Sequence, residues 1–278
     1  MYKEKQFWKE LAVYVKHQRV IYGLSQQQLE EQTHVARRQI SRLETGNNPM
    51  QTDTINAILK PLGKDAETAY QEVAVIRTQF DNQIKYVADL IYNQKWEEIK
   101  ALVATATEQF SAYQHIPHYR QGILYLQATT KYKQSWEEAT QIYLEALKTT
   151  RPDLILDSNV HSQLIDTEKL STTALQELEY GLTRQIATGL GCLGNRTHAI
   201  DICQALLTSF TNPAVSHDTK KLLTASIYAN LAWLYNELND TEQACHYINQ
   251  GIACCHQTGN NRSLPYLQNL QNQLCNPT

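Results

Sequence analysis

Apolar residues recur along the chain at intervals of three and four, the period of an amphipathic helix, and the alternation of a half-buried strand is absent. Trp8, Leu11, Ala12, Val15, Arg19 and Tyr22 mark a first helix. Gly23 is placed to end it, because glycine alone enters the left-handed region without strain. Ser25 is the N-cap of a second helix, and Gln28 completes a capping box with it. That helix is expected to finish near Gln32, with a break over Thr33-His34-Val35. The segment from Ala36 to Glu44 then forms a third helix. Val35, Ile40 and Leu43 are its inward set, and Arg37, Arg38, Gln39 and Arg42 are left outside. Thr45 to Pro49 stops it, and a fourth helix carries Thr54, Ile55, Ile58, Leu59 and Leu62 before Gly63.

Beyond about residue 80 the pattern repeats in pairs of helices. Lys95-Trp96-Glu97-Glu98-Ile99 and Ser135-Trp136-Glu137-Glu138-Ala139 echo each other forty residues apart. Asn195 to Ile200 and Asp240 to Ala244 occupy the corresponding place later, where a short turn enters the second helix of a pair. Self-similarity at this period signals a helical solenoid, here of four to five pairs with the last acting as a cap. The spacing between Leu154 and Leu178 is irregular. The fold class is therefore all-α, with a head over residues 1–68 and a repeat body over 81–278. Residues 69–80 contain no Gly or Pro and read as an ordered or helical linker.

Composition narrows the class. The 278 residues suffice for about two domains, and 42% hydrophobic content excludes disorder. No apolar run is long enough to span a membrane, and the N-terminus shows no secretory signal, so a cytoplasmic protein is expected. The head carries ten Lys/Arg against eight Asp/Glu, and the remainder fifteen against twenty. A mildly basic head on an acidic body suits a head that meets an anion. The six cysteines all fall in the last third without metal-ligand spacing and are expected to be reduced, buried and structural. His115 and His118 flank Ile116-Pro117, with no third ligand near in sequence. No nucleotide-binding, metalloprotease or serine-hydrolase motif is present, so no enzyme, cofactor or metal is expected.

The twenty-seven residues from Gly23 to Pro49 resemble the helix-turn-helix of XRE/Cro-type repressors. Gly23-Leu24-Ser25-Gln26, Leu29, Val35, Ile40 to Glu44 and Gly46 fall in that family's register. Four positions depart from it: Glu30 in place of a small residue, Thr33 in place of Leu, His34 in place of Gly, and Ala36 in place of a Ser cap. The resemblance implies a five-helix head in which Arg37, Arg38, Gln39 and Arg42 face double-stranded DNA. Arg can pair bidentately with guanine and Gln with adenine, so the chemistry agrees. Gln26, at the start of the second helix, suits a phosphate.

Residues Ala225 to Thr258 resemble a tetratricopeptide repeat, with Tyr228, Leu231-Ala232, Tyr235, Ala244, Ile248 and Gly251 in its pattern. In repeats that clamp peptides, an Asn five residues before the Tyr bonds the peptide backbone, and Asn230 matches that position. Gln185 corresponds in the preceding unit, and Arg184 beside it suits a terminal carboxylate. Trp233, one turn from Asn230, is placed to floor the groove or to pack in the core. The bland reading of Asn230 is a link between neighbouring helices. Head and body together resemble the peptide-pheromone-sensing regulators of the Rgg/PlcR/PrgX type. That likeness implies a homodimeric transcription factor of Gram-positive bacteria whose body binds a short signalling peptide. The alternative is a ligand-independent repressor of phage or antitoxin type, its solenoid serving only dimerisation or protein contacts.

Overall fold

The computed structural model describes residues 2–157, 164–260 and 262–275, and within these it forms fourteen α-helices. The one β pairing among the described residues is an isolated antiparallel bridge between Ile155 and Ile165. Contacts divide the chain into two compact units, Met1–Asn93 with Lys100–Arg120, and Gln94–Ile99 with Gln121–Thr278.

The first unit opens with α1 (Tyr2–Ile21), α2 (Gln26–Thr33), α3 (Arg37–Thr45) and α4 (Thr52–Leu59), then a 3-10 turn over Lys60–Leu62 and the long α5 (Ala66–Tyr92). Its core is the apolar set that the periodicity selects: Leu11, Val15, Leu29, Ile40, Leu43 and Ile58 are buried together. The predicted stops are present. Gly23, Gly46 and Gly63 have φ near +65°, and Gly46 has a second reason to be glycine. A Cβ there would lie 2.7 Å from the Trp8 carbonyl oxygen, so the end of α3 packs directly on the α1 backbone. Residues 69–80 lie wholly within α5.

Polar clamps fasten these helices. The fully buried Glu10 of α1 receives the Arg77 guanidinium of α5 through two nitrogens. Glu72 of α5 accepts from the Tyr14 hydroxyl and the Lys64 ammonium, each at 2.5 Å. These two donors hold the Glu72 carboxyl below its usual range, while burial and the Glu72 charge raise Tyr14 well above its own. Phe80, Phe110, Tyr113 and Tyr119 form an aromatic cluster in the same unit. Burial beside the Glu10 charge pushes Tyr113 up to about 12.

Beyond α5 the helices come in pairs. α6 (Trp96–Gln109) and α8 (Trp136–Thr150) each start at a Trp-Glu-Glu sequence, as the echo predicts. α7 (Pro117–Lys131) precedes α8, and the short α9 (Thr167–Thr172) follows it. Then come α10 (Glu177–Cys192) with α11 (Arg196–Ser209), and α12 (His217–Glu237) with α13 (Thr241–Thr258). The Tyr235 and Tyr247 rings stack at 5.4 Å between α12 and α13, filling the space beside Ala244 and Ile248. α14 (Leu264–Leu270) covers the end of the last pair. A Cβ on Gly251 would meet Leu267 at 2.7 Å, so a small residue is required at that crossing.

Part of the irregular interval after Leu154, residues 158–163, lies outside the described residues. The flanks come together as the Ile155–Ile165 bridge, with the Leu156 N–H donating to the Leu164 carbonyl. The His198 Nε2 of α11 accepts from the Leu164 and Ile165 N–H groups at 3.1 and 3.2 Å. Burial lowers the His198 pKa, consistent with a neutral ring that has a lone pair to offer.

The cysteines require a correction. Cys245 of α13 and Cys275 form a disulfide, with Cα atoms 5.7 Å apart, so not all six are reduced. The pairing arises because α14 and the single π turn after it, Gln271–Cys275, fold the chain back onto α13. A separation of 30 residues carries no local signature of that return. Cys203 and Cys255 are buried thiols, as expected of structural cysteines, and burial pushes Cys203 up to about 12.

Candidate functional site

In the first unit α3 is buried on one side through Ile40 and Leu43, while Arg37, Arg38, Gln39 and Arg42 are exposed on the other. None of these four side chains makes a hydrogen bond or ion pair to another described residue. Three guanidinium groups and a carboxamide are therefore free to take acceptors from outside. Arg38, Gln39 and Arg42 line a concavity completed by Thr45, Asn47 and Asn48.

The position of α3 is set from behind. Arg19 of α1 donates Nε to Glu44 Oε1 at 2.6 Å and Nη2 to Oε2 at 3.0 Å, with side chains only 11% and 4% exposed. Its Nη1 holds the Leu24 carbonyl at 2.5 Å. The bond to Glu44 holds the Arg19 pKa above its ordinary value. A buried bidentate pair of this kind fixes both orientation and register. Gln26 joins the same knot, donating Nε2 to Glu44 Oε2 at 2.8 Å, so its amide is engaged within the chain. Ser25 accepts from the Gln28 N–H and Gln28 returns the bond to Ser25, closing the predicted capping box on α2.

The four departures in the turn also have places. His34 caps α2 in the left-handed conformation at φ 55°, where glycine would be unstrained. Thr33 bonds the Leu29 carbonyl and receives the Val35 N–H, shaping the turn with its hydroxyl. Ala36 offers no side-chain cap to α3. The missing bond comes from the preceding helix, where Glu30 Oε1 accepts from the Arg37 N–H at 3.0 Å.

In the second unit, Arg184, Gln185 and Thr188 lie along α10, and Asn230 and Trp233 along α12. The structure brings Asn230 to α10 by a bond from its Nδ2 to the Thr188 Oγ1 at 2.9 Å. Asn230 thus links neighbouring helices, and its carbonyl oxygen has no partner among the described residues. Trp233 packs over Gly191, where a Cβ would come within 2.7 Å of the indole, and remains half-buried. Gln185 is half-buried as well. Arg184 is the outlier: its Nε is buried without any hydrogen-bond partner among the described residues. Burial raises Tyr125 and Tyr143, and the nearby Arg184 charge acts against that rise. No carboxylate neutralises this guanidinium among the described residues.

Residues 10–69 match a family described as helix-turn-helix domain. The head is a helix-turn-helix domain. PlcR of Bacillus thuringiensis, solved in complex with the peptide PapR7 and DNA, superposes with a TM-score of 0.52 at 17% identity. The alignment covers 96% of this chain and 86% of PlcR, and shows a common fold. Apo ComR of Streptococcus vestibularis aligns at a TM-score of 0.38 and 14% identity over 90% of this chain and 93% of its own. No curated protein sequence matches the chain.

Within the helix-turn-helix domain, sequence reasoning identified the exposed face of α3 but missed two contributors. Asn47 and Asn48 read only as a helix stop, yet they extend the polar concavity beyond Arg42. Glu30 read only as a departure from a small residue, yet its carboxylate reaches the start of α3. The signal for Glu30 was available: an acidic residue on α2 and a missing cap on α3 are complementary departures.

Proposed function

We propose that the chain is a sequence-specific transcriptional regulator that reads a double-stranded operator as a homodimer in the cytoplasm, and that a short signalling peptide bound to its repeat body switches it. The observation that carries the DNA reading is the unpartnered set Arg37, Arg38, Gln39 and Arg42 on the outer face of a recognition helix locked from behind by Arg19 and Glu44. Arg and Gln at the start of such a helix are the side chains that address guanine and adenine edges in the major groove. Two such domains on a two-fold axis would address half-sites about 34 Å apart.

Support for a peptide comes from the other unit. The fold is that of PlcR, a protein solved with a peptide and DNA. Arg184 is a half-buried cation lacking an anion, and Asn230 keeps a free carbonyl one turn from Trp233. A peptide supplies both complements, a carboxylate and backbone N–H groups.

The test is the double variant Arg37→Ala/Arg38→Ala, measured on an operator selected from random-sequence DNA by the parent. Specific binding is expected to fall by at least about thirtyfold, at about 1–3 kcal/mol for each of two base contacts, with the circular dichroism of the chain unchanged. Unaltered operator affinity would refute the assignment of the reading face. Native mass spectrometry of protein purified from its own host tests the second part. A dimer carrying one short peptide per subunit is the expected species, and an empty dimer moves the reading to a ligand-independent repressor.

A further inference from the structure

The cap on the recognition helix is supplied by a charged group from another helix. Glu30 Oε1 accepts the Arg37 N–H at 3.0 Å, while Oε2 has no hydrogen bond or ion pair with any described residue. Ala36, the residue in the capping position, contributes no side-chain bond. The first turn of α3 contains no acidic residue of its own. A full negative charge therefore stands at the end of α3 that carries Arg37, Arg38 and Gln39, and one of its oxygens is still available as an acceptor.

For a helix that only needed a cap, Ser at position 36 would suffice at no electrostatic cost to DNA binding. A carboxylate in that place has two further consequences. It repels phosphates, so it weakens binding to DNA of any sequence, which depends on phosphate contacts. It also presents a fixed acceptor, and among base edges in the major groove the cytosine N4 amino group is the donor that a Glu side chain accepts. We propose that Glu30 is a specificity-determining residue of the DNA interface, capping the recognition helix with one carboxylate oxygen and selecting a cytosine amino group with the other, while its charge disfavours non-specific binding. This rests on the DNA reading above and adds a residue from the second helix to it.

The experiment uses the full chain and three proteins: the parent, Glu30→Gln, and Glu30→Ala with Ala36→Ser. The glutamine variant keeps an acceptor for the Arg37 N–H and loses the charge. The double variant restores the cap from position 36 and removes the Glu30 acceptor altogether, so a loss of helix stability is not the quantity being read. Each protein selects sites from a random-sequence pool, and affinity for non-selected duplex is measured at two salt concentrations. The parent is expected to select a C·G pair at one position of each half-site. In Glu30→Gln that position moves towards A·T, since a carboxamide pairs with adenine, and in the double variant it loses preference by about tenfold. Both variants are expected to bind non-selected duplex several times more tightly than the parent at low salt. Identical base preferences in all three proteins, or unchanged affinity for non-selected duplex, would overturn the proposal while leaving the DNA reading intact. Failure of the parent to select any sequence would overturn both.

Discussion

At the scale of single residues, the turn between α2 and α3 shows how one departure calls for another. His34 occupies a left-handed position that costs a side chain with a Cβ about 1–2 kcal/mol over glycine. Its imidazole makes no bond to any described residue, so nothing local repays that strain. Replacing it with glycine relieves the native state but loosens the unfolded chain, and the balance should favour the variant by about 0.5–1 kcal/mol. In His34→Gly, native-state hydrogen exchange at the Leu29 and Ile40 amides should slow by about two- to fivefold. Faster exchange at both would show that the histidine side chain has a stabilising role. At this scale the exposed face of α3 was legible in sequence, because exposed Arg and Gln against buried Ile40 and Leu43 follow from periodicity alone. The engagement of Gln26 with Glu44 was not legible, because that bond depends on how three helices meet around Arg19.

At the scale of elements, local signals and tertiary returns separate cleanly. The starts of α2, α6, α8 and α13 were all readable, because caps and acidic first turns act within four residues. The Cys245–Cys275 disulfide and the 155–165 bridge were not, because each needs the chain to come back on itself. The bridge is held from α11 by the lone pair of His198, and this gives it a pH dependence. The folded-state pKa is lowered by burial, so the unfolded chain takes up the proton first as pH falls. The stability His198 contributes is therefore complete above about pH 6.5, the ordinary histidine value, and is lost as pH falls from there to the lower folded value. His198→Gln offers a carbonyl oxygen near the same place and does not titrate. The thermal midpoint of the parent is expected to drop relative to this variant as pH is lowered from 7 to 5. Parallel pH profiles would mean that the folded ring takes up its proton as readily as the unfolded chain does, so that burial and the two accepted N–H bonds do not oppose its protonation.

At the scale of the whole molecule, the two units carry opposite electrostatic characters, a net of +2 over residues 1–68 and −5 over the rest. On the proposed reading that asymmetry favours polyanionic DNA at the helix-turn-helix domain, while Arg184 stands in an acidic body as a half-buried cation without an anion among the described residues. The all-α architecture with repeated pairs could be read from the chain, whereas the boundary between compact units could not. The later divisions fall inside α6 and α7, where helix periodicity continues unbroken, and only contacts distinguish one unit from the next. A switch of the kind proposed requires that peptide and operator favour the same, or opposite, states of this molecule. A peptide can move the operator equilibrium only by its differential affinity for those states, and the coupling is reciprocal. Taking a peptide recovered from the native protein, calorimetric titration into free protein and into operator-saturated protein should give dissociation constants differing by about 5- to 150-fold, the usual range of allosteric coupling. Operator affinity with and without the peptide should change by the same factor. Equal peptide affinities in the two titrations would leave peptide binding standing but remove its role as a switch, because a ligand that binds both states alike shifts neither.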